Sequence, residues 1–320
     1  MSNMKAVVLY DPGGADALKV ERRPVPEIPE GWVRIRVRAF GLNRSELFTR
    51  QGHSPSVTLP RVLGIEAVGV VDQAPGTGFV PGEKVATVMG GMGRRFDGSY
   101  AEYIRVPAGQ VRRISVDLPW EQLGALPEML QTAWGSLFSA LRLVEAERLL
   151  IRGGTTSVGM AAIGLARQAG AEVFATTRRP ERASLLRDLG AEPVIDTGVL
   201  RHDGHRFDKV LELIGTTTLE DSLAVTAPGG SVCMTGMVGN SWSLPDFTPM
   251  EAIPHCVSLT TYSGGVADFM AMPFDRLLDD VASGNVKVRI GKVFRLDQIV
   301  EAHTCMEANT AGGKIVVMVD

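Results

Sequence analysis

The stretch Arg148-Leu149-Leu150-Ile151-Arg152-Gly153-Gly154-Thr155-Thr156-Ser157-Val158-Gly159 has the residue types and spacing that grip a phosphate. An apolar run stops at a small-residue turn and restarts with helical period. Val158, Ala161, Ala162, Leu165, Ala166 and Ala169 share one face, and Gly170 is placed to close the helix. A strand, a tight turn and a helix in that order present unpaired amides and the positive end of the helix to a dinucleotide pyrophosphate. Gly154, Thr155, Thr156, Ser157, Val158 and Gly159 are therefore candidate cofactor contacts. The pattern G-x-G-x-x-G runs from Gly154 to Gly159 with Thr156 in the middle position, where the backbone usually comes nearest the phosphates. On the turn alone, a plain strand-to-helix connection stands equally open.

The end of the following strand separates the two nicotinamide cofactors. A free ribose 2′-hydroxyl calls for a carboxylate there, whereas this chain offers Thr176-Thr177-Arg178-Arg179-Pro180-Glu181-Arg182. Planar guanidinium groups match a 2′-phosphate, so Thr177, Arg178 and Arg179 are read as contacts of NADPH. The bland alternative is a pair of solvated arginines near a helix start.

These side chains need a scaffold. Residues 172–176 and 193–196 read as further strands, and 180–189 as a helix opened by Pro180 and followed by Gly190. Such alternation implies an α/β unit with a parallel, doubly wound sheet. The first third differs in texture. Val33-Arg34-Ile35-Arg36-Val37-Arg38-Ala39 alternates like a strand wet on one face, and 69–71 and 100–106 also look like strands. Pro12-Gly13-Gly14, Pro75-Gly76 and Pro81-Gly82 punctuate them, which fits a mostly antiparallel β domain. Residues 121–143 read as one long, largely apolar helical region, and 313–319 return to strand character.

At 320 residues two domains are the natural expectation. A net charge of −3 gives no electrostatic reason to expect nucleic acid or a membrane surface. Cys233, Cys256 and Cys305 are too scattered for a disulfide framework, and no apolar run approaches the ~20 residues of a membrane span. No leader is legible before Met4-Lys5-Ala6-Val7-Val8, so the expected compartment is the cytoplasm.

Several motifs recur in a familiar order: Met4-Lys5-Ala6-Val7, Gly41-Leu42-Asn43 continuing to Arg50, Gly64-Ile65-Glu66-Ala67-Val68-Gly69, Val80-Pro81-Gly82-Glu83-Lys84-Val85, Gly98-Ser99-Tyr100-Ala101-Glu102-Tyr103, the nucleotide loop, and Gly312-Gly313-Lys314-Ile315-Val316. With these the chain resembles, from end to end, the medium-chain dehydrogenase/reductase superfamily and within it the zinc-independent quinone oxidoreductases. The resemblance implies a GroES-like β-rich catalytic domain from 1–120 and 267–320, with a Rossmann NADP-binding domain at 121–266. It also implies a metal-free site. Zinc-dependent relatives have cysteine where this chain has Asn43, histidine where it has Ile65, and commonly cysteine near Glu128, and an amide and a hydrocarbon cannot replace thiolate and imidazole. A substitute site from Glu66, Glu128 and His53 or His255 is the weaker alternative to structural carboxylates.

Without a Lewis acid the expected chemistry is hydride transfer from NADPH to a quinone or an α,β-unsaturated carbonyl. By the same resemblance Asn43 and Thr132 hold the nicotinamide end. Leu213, Ile214, Gly236 and Met237 belong to strand-end loops around the cofactor, and Lys314 joins the cofactor contacts. Asn43, Ser45 and Arg50 are the candidate catalytic side chains. Ser45 matches a proton-relay position but is read as a helix cap, Arg50 and Glu46 are read as salt-bridged, and Phe48 stands where relatives often have tyrosine. The last strand, Ser258-Leu259-Thr260-Thr261-Tyr262, is the expected homodimer edge. Two other functions compete: an enoyl-thioester reductase, which needs a basic patch for a carrier phosphate, and a non-catalytic NADPH-binding regulatory protein. Glycines and apolar residues in 89–95 and 239–247 suggest an uncharged, modest-sized acceptor.

Overall fold

The computed structural model describes residues 2–202 and 204–320. They part into two units, one of Met1–Glu128, Gly265–Ala282 and Ile290–Asp320, the other of Met129–Gly264 and Ser283–Arg289. These divisions lie near 120 and 266 without coinciding. Helix Trp120–Leu123 packs on strand Trp32–Gly41, which keeps 121–128 with the first unit. Lys287 Nζ donates to the Asp188 carbonyl at 3.0 Å, which ties 283–289 to the second.

The second unit is an all-parallel, six-stranded sheet in the order Glu192–Ile195, Glu172–Thr177, Arg148–Arg152, Phe207–Glu212, Thr226–Met234, Ser258–Thr261. The chain direction across the sheet reverses beside Arg148–Arg152, as in a doubly wound dinucleotide fold. That strand is central and buried, which is why Leu149, Leu150 and Ile151 form an unbroken apolar run. Helix Ser157–Gln168 follows it, and the expected helix at 180–189 is a 3₁₀ turn, Pro180–Arg182, leading into Ala183–Leu189.

Residues 121–143 do not form the single helix expected of them. They divide into Trp120–Leu123, Pro127–Trp134 and a wide π-helical stretch, Gly135–Ala140. Pro127 has no amide to continue a preceding turn, so the helix restarts at it.

The first unit holds a mostly antiparallel seven-stranded sheet. Its path is Ile290–Arg295, Lys314–Met318, Trp32–Gly41, Glu66–Gln73, Lys84–Val88, Val111–Arg113, with Tyr103–Pro107 also on Trp32–Gly41. Val33, Ile35 and Val37 are fully buried while Arg36 is exposed, so the alternation read in the sequence is the pleat of this strand. A smaller sheet of Leu18–Pro24, Asn3–Leu9 and Arg61–Val62 packs its apolar residues into the same core. No helix of the described residues is long and apolar enough to cross a membrane.

Candidate functional site

In the second unit the nucleotide loop is built around Thr156. This residue is the N-cap of helix Ser157–Gln168, and its Oγ1 accepts from the Gly159 amide at 3.0 Å and donates to the Gly153 carbonyl at 2.9 Å. The middle position of the motif, filled by threonine where glycine is usual, therefore closes the turn with its own side chain. The flanking glycines are required by space. A Cβ on Gly159 would lie 2.5 Å from the Gly153 carbonyl oxygen, and one on Gly154 would lie 2.7 Å from the Ala175 Cβ. The Gly154 amide is spent on the Thr176 carbonyl at 3.0 Å. The first-turn amides of Ser157 and Val158 have no acceptor within the helix, and both residues, with Thr155, are partly exposed.

One strand over, Thr177 is buried and its Oγ1 accepts from the Arg179 amide at 3.1 Å, which fixes the turn that carries the arginine pair. Arg178 and Arg179 are exposed, and among the described residues their side chains make no hydrogen bond or ion pair. The neighbouring strand ends meet the loop. A Cβ on Gly153 would lie 3.1 Å from Leu213 Cβ and 3.2 Å from Ile214 Cδ1, while Gly236 abuts the backbone of Leu213, and Met237 lies against Gly215. Thr132 is partly exposed on helix Pro127–Trp134. One turn further on, Ser136 hydrogen-bonds Thr235 across 2.9 Å, directly before Gly236. The expected cofactor residues of this unit thus gather at the carboxyl ends of the parallel strands, where doubly wound sheets bind ligands.

Beneath them lies a charged cage that sequence reasoning missed. Arg152 is fully buried and bidentate to Asp196, at 2.9 and 3.0 Å, and its Nη1 also reaches Asp221 at 2.8 Å. Glu212, equally buried, accepts from the amides of Ile214 at 2.7 Å and Gly215 at 3.0 Å, so it shapes the loop after its strand. The available signal was a charge directly after the apolar run Leu149-Leu150-Ile151 and another directly after Val210-Leu211, where an unpaired ion would be too expensive to bury.

In the first unit Asn43 and Lys314 are brought together, inside the protein. Lys314 is 2% exposed, and its ammonium meets Asn43 Oδ1 at 2.6 Å, Glu66 Oε1 at 2.9 Å and Glu128 Oε2 at 3.6 Å. Asn43 Nδ2 donates to Glu66 Oε1 at 2.9 Å, and the other Glu66 oxygen accepts from the Glu128 amide at 2.9 Å. Two of its N–H groups are taken up by Asn43 and Glu66, so the buried ammonium braces Asn43 from inside the protein. Gly41 makes room, since any side chain there would collide with the Lys314 stem and Glu66. Burial raises the Glu66 carboxyl and the Lys314 charge opposes that rise, while the facing carboxylates raise the Lys314 pKa against its own burial.

Ser45 is not the helix cap. That position is Asn43, whose amide donates to Glu46 Oε2 at 3.1 Å, and Ser45 Oγ instead accepts from Arg94 Nη2 at 2.6 Å. Glu46 accepts from the Ile65 amide at 3.1 Å through its other oxygen, and burial pushes its pKa up to about 7. Arg50 has no exposed surface and pairs with Glu307 at 2.6 Å, so it has no route to a substrate and its place is structural. Nearby, the buried Tyr100 hydroxyl meets His303 Nε2 at 2.9 Å. Burial and the Arg50 charge hold His303 down to about 3.

The donor set does not fit a catalytic zinc. Ile65 offers no lone pair, Asn43 Oδ1 already faces an ammonium, and Glu66 and Glu128 converge on Lys314. His255 lies beside Cys256, at 3.2 Å. Among the described residues no group of three His, Cys, Asp or Glu side chains is arranged to hold a metal ion.

Two sequence families match, the alcohol dehydrogenase GroES-like domain over residues 29–116 and the zinc-binding dehydrogenase family over 189–317. The quinone oxidoreductase of Pongo abelii is 26% identical, over 98% of each chain. A highly reducing polyketide synthase of Arthrinium phaeospermum is 28% identical over 95% of this chain, which spans 13% of that protein. A mycobacterial protein solved in complex with NADPH superposes with a TM-score of 0.87 at 25% identity, over 98% of this chain and 99% of that one. With a GroES-like β unit and a doubly wound parallel sheet both in place, the chain belongs to the medium-chain dehydrogenase/reductase superfamily, in its quinone oxidoreductase-like family.

Proposed function

We propose that this oxidoreductase uses NADPH to reduce quinones or α,β-unsaturated carbonyls and does so without zinc. The observation that carries the reading is the pair of exposed, unpartnered arginines, Arg178 and Arg179, set by Thr177 one strand away from the Thr156-capped loop. A loop for pyrophosphate beside two guanidinium groups suits a dinucleotide with a 2′-phosphate. When bound, NADPH supplies a hydride from C4 of its dihydronicotinamide to the conjugated acceptor, a proton from water completes the product, and NADP⁺ remains. The chain's residues bind and orient. The first-turn amides of Ser157 and Val158 would hold the pyrophosphate, Leu213, Ile214, Gly236 and Met237 line the strand ends, and Thr132 would serve the nicotinamide end. With Asn43 and Ile65 in place of metal donors, the acceptor must delocalise the incoming charge itself, which quinones and enones do and unactivated ketones do not.

A second reading, reduction of an enoyl thioester, draws on the likeness to the polyketide synthase and uses the same hydride step. We also propose a homodimer joined through strand Ser258–Thr261, which has a sheet neighbour on one side only and so leaves an edge to cover. The test is an acceptor panel of quinones, enones and enoyl thioesters with NADPH and with NADH. Turnover of conjugated acceptors with NADPH preferred supports the reading. Tight NADPH binding with no turnover of any acceptor would replace it with a cofactor-binding, non-catalytic role. A monomer mass at micromolar concentration would remove the dimer.

A further inference from the structure

We propose that the acceptor carries an anionic group, a carboxylate or a phosphate, held by Arg44 and Arg94 beside Asn43. This rests on the reductase reading and narrows its substrate class. Arg94 reaches Ser45 with one N–H, at 2.6 Å, leaving the other N–H groups of its guanidinium for a ligand. Arg44, the residue between Asn43 and Ser45, is half-buried, and burial lowers its pKa with no acid acting against it. Arg95 is exposed next to Arg94, and the Gly91 carbonyl accepts from both their amides, at 3.1 and 2.7 Å. Among the described residues none of these three arginines has an ion-pair partner.

The acids close to them in sequence are already taken. Asp97 holds Arg61 at 3.0 Å and the Val62 amide at 3.1 Å, and Glu46 is buried on the amides of Asn43 and Ile65. Several other arginines of the same unit are matched by carboxylates, as in Arg34 with Asp72 at 2.7 Å and Arg113 with Glu83 at 2.8 Å, whereas Arg44, Arg94 and Arg95, brought near one another by the Arg94–Ser45 hydrogen bond, have none among the described residues. A concentration of positive charge left unneutralised beside a candidate site residue is what recognition of an anion requires, because charge-assisted hydrogen bonds form on binding without first breaking an internal pair. The expectation of an uncharged acceptor weighed the glycines of 89–95 and not their arginines.

The experiment compares matched acceptors with NADPH: 4-oxopent-2-enoate against its methyl ester for a carboxylate, and crotonyl-coenzyme A against crotonyl N-acetylcysteamine for a phosphate. The expected result is a kcat/KM advantage of roughly tenfold or more for at least one charged member, collapsing towards one in Arg94→Ala and partly kept in Arg94→Lys. Which pair shows it identifies the source of the anion. Binding of 4-oxopentanoate, its methyl ester and coenzyme A to NADP⁺-loaded protein gives a readout independent of turnover, so failure of the reductase reading is told apart from failure of this one. Equal kcat/KM and equal binding for charged and neutral partners would overturn the proposal. So would a loss in Arg44→Ala and Arg94→Ala confined to the KM for NADPH and identical across acceptors, which would assign these cations to the cofactor.

Discussion

Lys314 is the side chain whose loss should be felt most widely in the first unit, because among the described residues it is the cation paired with the buried Glu66, and it partners both Asn43 and Glu128. Removing one partner from a buried ion pair leaves an uncompensated charge. Lys314→Met is expected to destabilise by about 3–5 kcal/mol in denaturant unfolding, and Lys314→Met with Glu66→Gln by less. Glu46 gives a pH signature. Its pKa is raised in the folded protein, from 4.5 to about 7, so the native state holds a proton that the unfolded chain releases in that window, and stability falls as pH rises through it. Glu46→Gln has nothing to titrate. Its melting temperature should start below that of the parent at pH 5 and close the gap towards pH 8, and parallel curves would contradict the assignment. Arg178→Ala and Arg179→Ala should each weaken NADPH binding roughly tenfold or more while leaving NADH nearly unchanged, read by titration of cofactor fluorescence.

Elements were legible where one local rule governed them. The period from Val158 to Ala169 fixes helix Ser157–Gln168, and the alternation from Val33 to Ala39 fixes strand Trp32–Gly41. Residues 121–143 look uniformly apolar, but Pro127 divides them, and Gly135 lies where the Tyr262 ring packs. The contact with Tyr262 is long-range, and no window of sequence contains it. The same limit hid the first-unit site: Asn43 and Lys314 are 271 positions apart and Asn43 and Glu66 are 23 apart, so their types were visible and their mutual commitment was not. Thr156 teaches the reverse lesson, since a departure from the glycine pattern is resolved by chemistry a few residues away. Thr156→Ala should lose the cap, with about 1 kcal/mol of stability and a measurable rise in the Kd for NADPH, whereas Thr156→Ser should keep both. Gly159→Ala should impair cofactor binding more than stability, because the Gly153 carbonyl at 2.5 Å must move out of the loop.

At the scale of the whole chain, each unit carries its own group of candidate residues. The parallel sheet presents a Thr156-capped loop beside two exposed arginines, and the β unit presents Asn43, an amide braced by the buried Lys314 ammonium. A chain with this division of labour should reduce acceptors that stabilise their own negative charge and should have no use for an added divalent ion. The most direct measurement is steady-state NADPH oxidation by a quinone and by an enone, using untagged protein whose metal content is determined by mass spectrometry on the same sample. Turnover with both acceptors at far less than one zinc per chain, unchanged by a chelator, is the expected result. Activity that scales with bound zinc, or appears only with simple alcohols and ketones, would contradict it.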